Sequence, residues 1–224
     1  MSIRRVVVYG DGPYDLGPNL GREVAPDQTY ALPRLVHRLL DEPSDTFYAA
    51  EIFASVPPVH GRGHKYGRKA QGAIRQARQG RYHAAVIVID RDRAPGTRKL
   101  RPLQEARDQL QHQGFPPCAI GMAVEAFDAW MIADGNAVKA AGGNPAKTHR
   151  SPENLDKKEG TGGHPKDLAM QVFGGRDRVA EKYAVVAANA DLALLERTCP
   201  KGFAPFAEEV REWIGPVVRE ESGA

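Results

Sequence analysis

The sequence predicts an α/β protein with a mostly parallel central sheet flanked by helices, followed by a helical C-terminal part. Three observations predict it. Short apolar runs alternate with helical periods through the first half of the chain, the signature of an α/β layer fold. Two of those runs, Val6-Val7-Val8 and Val86-Ile87-Val88-Ile89, are continuous rather than alternating. Strands covered on both faces, as in a parallel sheet, read this way. After Val124 no strand pattern remains, while helical periods continue.

The expected strands are Ile3 to Tyr9, Glu51 to Val56, Ala84 to Ile89 and Cys118 to Val124. Between them, Leu32, Leu35, Val36, Leu39 and Leu40 follow the i, i+3, i+4, i+7, i+8 spacing of one apolar helix face. Arg68 to Gly80 reads as a basic helix ending at a glycine cap, and Lys99 to Gln113 as a helix stopped by Gly114 and Pro116-Pro117. Further helices are expected at Ala126 to Ala141, His164 to Phe173, Arg178 to Glu196 and Phe203 to Val218, with Arg219 to Ala224 fraying. A loop rich in Gly, Asn, Pro, Lys and Thr runs from Gly142 to Gly163. It places a soft boundary between an α/β part, residues 1–141, and a helical part, residues 142–224, packed on the same core.

At 224 residues and 24.4 kDa the chain is long enough to bury a sizeable core, and 42% hydrophobic with 26% charged residues suits a globular protein. Cys118 and Cys199 form no CxxC pair, which argues against zinc clusters and disulfide scaffolds and for a reducing cytoplasm. Met1 to Val6 lacks the long apolar run of a signal peptide, and no stretch has the roughly 18 apolar residues of a membrane span. The net charge of +3 points only weakly to an anionic partner, so distribution decides.

Acidic residues follow three of the expected strands. The first leads into Asp11-Gly12-Pro13-Tyr14-Asp15, the third into Asp90-Arg91-Asp92, and the fourth into Glu125-Ala126-Phe127-Asp128. In open α/β sheets ligands bind at the carboxyl ends of strands, so parallel neighbours would gather these acids at one edge. If the segment stays extended, Asp90 and Asp92 face the same side and repel unless a cation sits between them. Mg²⁺ takes such oxygen ligands together with water and phosphate; a pair of solvated turn aspartates is the bland alternative. If a helix begins near Glu125, Glu125 and Asp128 share one face, an arrangement the helix dipole alone would also favour. Asp134 reads as solvated or hydrogen-bonded, and Trp130, Met131 and Ile132 as core.

From His60 to Tyr82 the chain carries Arg62, Lys65, Arg68, Lys69, Arg75, Arg78 and Arg81 and no acid, with His60, His64 and Tyr66 interleaved and glycines at 61, 63 and 67. Uncompensated cations beside open backbone suit phosphates. Lys166, near a helix start where the dipole disfavours it, is a further candidate anion contact.

The chain resembles the Toprim fold of topoisomerases, primases and nucleases of the overcoming-lysogenization-defect type. Asp11-Gly12 looks like the Toprim glutamate-glycine motif with aspartate in place of glutamate, and Asp90-Arg91-Asp92 looks like the Toprim Asp-x-Asp. An alternative alignment sets Tyr9 at the glutamate position, with Asp15 compensating. More closely, the chain resembles domain-of-unknown-function family 4276, a bacterial Toprim-like group. The segments that carry this are Val124 to Asp134, Pro165-Lys166, and Cys199 to Phe206.

The resemblance implies Mg²⁺- or Mn²⁺-dependent phosphodiester cleavage. Asp11, Asp90, Asp92 and Glu125 would be catalytic, and together with Asp128 would hold the ions. Arg62, His64, Lys65, Arg68, Lys69 and Lys166 would bind the nucleic-acid backbone. It also implies an ATPase partner protein and an anti-phage or DNA-processing role, and the lack of a long apolar stretch implies no membrane partner. Two alternatives stand beside it: a non-catalytic nucleic-acid-binding or regulatory subunit that keeps the fold, and a hydrolase or phosphotransferase acting on a small phosphate.

Overall fold

A computed structural model describes residues 3–41, 43, 45–92, 96–155 and 158–219. Residues 220–224, most of the tail expected to fray, and Met1-Ser2 of the N-terminal segment lie outside the described residues.

The chain forms a five-stranded sheet in the order β2-β3-β1-β4-β5. Strands β1 (Arg4–Gly10), β3 (Thr46–Ile52), β4 (Ala84–Asp90) and β5 (Cys118–Ala123) are mutually parallel, and β2 (Glu23–Val24) is a two-residue antiparallel edge on β3. Seven consecutive residues of β4 are buried, as its unbroken apolar run requires of a central strand with both faces covered.

Alternate residues divide two cores. Val7, Tyr9, Ala85, Ile87, Ile89, Cys118 and Ile120 face α3 (Lys65–Gln79) and α4 (Gly96–Gln111), which supply Ala73, Ile74, Leu103 and Leu110. Val6, Val8, Val86, Val88, Ala119 and Ala123 face the opposite layer. That layer combines α2 (Ala31–Leu39) with helices from the C-terminal part of the chain, so residues after 142 share a core with residues before it. Its centre is Trp130, fully buried, stacked on Phe206 and edge-on to Phe127 and Phe203. Burying a side chain of that size contributes a few kcal/mol.

The structure moves several expected elements. The second strand begins at Thr46 rather than Glu51. Phe53–Ser55 turns into a 3₁₀ helix, and Phe53 and Val56 are buried from that turn. The helix expected over Ala126 to Ala141 is two short ones, α5 (Asp128–Met131) and α6 (Gly135–Ala140). Asp134 caps the second through the amides of Asn136 and Ala137. Its other oxygen accepts from Asp191 N–H, so Asp134 is hydrogen-bonded and buried rather than solvated. The helix expected over Arg178 to Glu196 likewise divides into α8 (Val179–Asn189) and α9 (Leu192–Thr198), the latter capped by Asp191. Between these pairs lies α7 (Pro165–Phe173), as expected. The last helix runs as α10 (Phe203–Glu209), a π-helical turn at Val210–Ile214 and α11 (Gly215–Arg219). Among the described residues no helix is long and apolar enough to cross a membrane.

One short helix matters for the site. After β1 the chain enters α1 (Pro13–Leu16) and leaves through Gly17, at φ 77°. A Cβ on Gly17 would lie 2.0 Å from the Tyr30 ring, so only glycine fits this turn.

Candidate active site

The sheet explains how distant acids meet. The β1–β4 register pairs Tyr9 with Ile87, so Asp11 falls opposite Ile89, one residue from Asp90. The β4–β5 register pairs Asp90 with Ala123, just before the turn that carries Asp128. All three chain segments therefore exit at the carboxyl edge of the sheet.

Hydrogen bonds fix the carboxylates there. Asp11 Oδ2 accepts from Asp90 N–H at 2.6 Å, and Asp90 Oδ1 accepts from Phe127 N–H at 2.8 Å. Asp128 Oδ1 accepts from the Tyr183 hydroxyl, and Asp15 Oδ2 from Gly12 N–H at 3.3 Å. Opposite them, Lys166 Nζ lies 3.7 Å from Asp90 Oδ2. Among the described residues it is the only cation paired with any of these four acids.

The electrostatics follow from crowding and burial, which both disfavour charge. Burial, then the Asp11 and Asp128 carboxylates, push Asp90 up to about 8. Asp15 is held well above the usual carboxylate range by burial and by Asp90, Asp128 and Asp11. Asp11 and Asp128 are also raised by burial, against the opposing hydrogen bonds from Asp90 N–H and Tyr183. Burial opposes the charge on Lys166, but Asp90, Asp128 and Glu159 outweigh it and raise its pKa.

The other two expected ligands are placed differently. Asp90 ends β4, Arg91 leaves the strand, and Asp92 takes a left-handed turn at φ 46°, so the extended-chain argument for a shared face does not apply. The Asp92 side chain is 55% exposed and pairs with Lys99 Nζ at 2.9 Å. Lys99 also donates to the Asp90 carbonyl at 2.7 Å. Glu125 sits at φ 64° ahead of α5 rather than inside it, so it does not share a helix face with Asp128. Its side chain is fully buried and ion-paired with Arg91.

The basic segment borders the same edge. Lys99 lies over the Tyr66 ring at 5.6 Å, which brings the start of α3 beside Asp92. Lys69 donates to the carbonyls of Phe53 and Ala54, and burial and Lys65 lower its pKa against the pull of Asp11. His64 caps α3 by accepting from Tyr66 N–H, which makes it a helix cap. Arg62, His64 and Arg68 line a shallow hollow of about 140 Å³, and Lys65 is exposed.

On the far side lies a cavity of about 220 Å³ between α7 and α8. Lys166, Ala169 and Met170 share one face of α7, Val179 and Tyr183 one face of α8, and Tyr14 of α1 stands at the mouth. The sequence reading missed this wall and the half-buried place of Asp15 beside Asp90 and Asp128. Periodicity marks Tyr183 and Val179 as helix residues but not which helix they face.

Among the described residues no group of three or more His, Cys, Asp or Glu side chains is arranged to hold a metal ion. The donor set is nonetheless of the kind that hard divalent cations take: carboxylates with raised pKa values and one partial counter-charge. No protein-family model, curated protein or solved structure matches this chain.

Proposed function

We propose that this protein is a Toprim-like, divalent-cation-dependent nuclease that cleaves nucleic-acid phosphodiesters. The observation that carries the proposal is the gathering of Asp11, Asp15, Asp90 and Asp128 at one sheet edge with Lys166 as their only paired cation among the described residues. Like charges held this close are costly unless a proton or a cation relieves them. Asp11 and Asp90, completed by water and phosphate oxygens, would hold Mg²⁺ or Mn²⁺. When bound, the ion supplies positive charge against a phosphoryl oxygen.

The chain's own residues do the rest. Lys166 binds a non-bridging phosphate oxygen and offsets the charge that grows on it. Lys99 pins the end of β4 through the Asp90 carbonyl and pairs with Asp92. Burial and the Asp90, Asp128 and Asp11 carboxylates hold Asp15 well above the usual carboxylate range. Arg62, Lys65 and Arg68 form a cationic approach for the phosphate backbone, with Lys69 behind them. An ATPase partner and an anti-phage or DNA-processing role remain part of this proposal, on the strength of the resemblance alone.

Purified protein with Mg²⁺ or Mn²⁺ is expected to cut DNA or RNA, and Asp90→Asn to abolish the cutting. An Asp90→Asn variant that cuts at the wild-type rate would overturn the enzyme. A second reading, the non-catalytic nucleic-acid-binding subunit, is favoured by one observation: Glu125 is ion-paired with Arg91. Calorimetry separates the two, because that reading requires nucleic-acid binding with no Asp90-dependent metal signal.

A further inference from the structure

The cavity beside the acids has a chemistry unlike theirs. Its walls are Ala169, Met170, Val179 and the Tyr14 and Tyr183 rings, while Lys166, Arg176, Glu159 and Asp128 stand around it. Lys166 belongs to both places, since its Nζ reaches Asp90. Anything seated in the cavity therefore lies next to a group bound at the carboxylates.

Two features describe the occupant. The cavity is narrow and apolar with aromatic and thioether walls, which suits one flat ring system and has no room for a base pair. The cations at its rim are only loosely committed. Lys166 Nζ stands 3.7 Å from Asp90 and 3.9 Å from Glu159, and Arg176 donates Nε to the Met170 sulfur at 3.4 Å while another of its nitrogens stands 3.9 Å from Glu159, so Lys166 Nζ and the outer Arg176 nitrogens are open to an anion. Beyond Tyr14 a second hollow of about 290 Å³ opens, lined by Pro13, Tyr30, Val179 and again Arg176. Tyr14, 46% exposed, stands between the two hollows like a partition.

We infer that this cavity takes one unstacked nucleobase of a single-stranded nucleic acid, with Tyr14 as its stacking platform and Lys166 and Arg176 on the flanking phosphates. The inference rests on the nuclease reading and names its substrate: an unpaired strand, threaded past Tyr14, with the phosphate beside the seated base delivered to Asp90. A duplex cannot place a base there without first opening.

The test uses the full chain and four probes. They are a single-stranded DNA oligonucleotide carrying 2-aminopurine, its blunt duplex, the same strand with an abasic site replacing the 2-aminopurine, and a mononucleotide. Binding is read by 2-aminopurine fluorescence in Ca²⁺, and cleavage in Mn²⁺. The single strand is expected to quench on binding and to be cut at least about tenfold faster than the duplex. Tyr14→Ala should weaken single-strand binding about tenfold and remove the quench, whereas Tyr14→Phe restores both. The abasic strand should bind wild type as weakly as the intact strand binds Tyr14→Ala.

If duplex and single strand are cut equally and Tyr14→Ala changes neither quench nor rate, the nuclease stands and the base cavity falls. If no probe is cut but the quench is present and lost in Tyr14→Ala, the cavity stands and the nuclease falls. A mononucleotide that competes as strongly as the oligonucleotide would overturn the polymeric substrate.

Discussion

Two sets of carboxylates stand at the same edge of the sheet and are treated oppositely by the fold. Glu125 and Asp92 each have a dedicated cation, Arg91 and Lys99. Of Asp11, Asp15, Asp90 and Asp128, only Asp90 is paired with a cation among the described residues, Lys166, and each of the four accepts a hydrogen bond from an amide or a hydroxyl. Each member of the first set has a cation in ion-pair contact. The second remains electrostatically open, and its raised pKa values are the measure of that. Proximity to a strand end is thus a weaker criterion for function than the absence of a private counter-ion.

The comparison breaks most severely at Glu125. Glu125 is fully buried against a part-exposed Arg91, so Glu125→Ala empties a buried site and leaves that guanidinium unpaired, and is expected to destabilise by about 3 kcal/mol. Urea denaturation measures this, and a loss below about 1 kcal/mol would place Glu125 with the open set.

Asp90 should behave in the opposite sense. An unfolded aspartate loses its proton near pH 4, and folded Asp90 near about 8. The folded state holds the extra proton across that interval, so stability falls as pH rises through it. Asp90→Asn keeps an acceptor for Phe127 N–H and removes the charge. It is expected to gain about 2 kcal/mol at pH 8, roughly 4–8 °C in Tm, and almost nothing at pH 4. Millimolar Mn²⁺ should raise the wild-type Tm at pH 8 and leave the variant unmoved. A variant less stable than wild type at pH 8 contradicts the open-cluster account.

The smallest effect is at Asp92. Its carboxylate is more than half exposed, and exposed pairs contribute about 0–1 kcal/mol. Asp92→Asn should shift stability by less than about 1 kcal/mol and slow cleavage less than tenfold. A loss of cleavage as complete as that of Asp90→Asn would return Asp92 to the metal set.

Much of the sheet could be read from the chain because double-sided burial leaves unbroken apolar runs, as at Val86 to Ile89. The antiparallel edge β2 could not, since Glu23 and Val24 are too few to set a period. The start of β3 was obscured because Thr46 to Ala50 mixes aromatic and small residues, while the more apolar stretch at Phe53 bends away. Both helix breaks carried a readable signal, an aspartate cap at Asp134 and at Asp191, outweighed by the apolar period on either side. Within the site, Asp11, Asp90 and Asp128 were legible from strand ends. Their separation from Glu125 was not, because it depends on the left-handed turn at that residue and on which way Arg91 points. Lys166 was legible as a charge set against its helix dipole, and the carboxylates around it give that placement a reason.

Asp11 has a further role beyond its charge. Its short side chain ends on the amide that begins the last residue of β4, tying two strand tips 79 residues apart in sequence. A glutamate would carry its oxygens past that amide and let the tips part. The identity of residue 11 therefore acts as a spacer gauge for the mouth of the sheet, and Asp11→Glu tests gap width where Asp11→Asn tests charge.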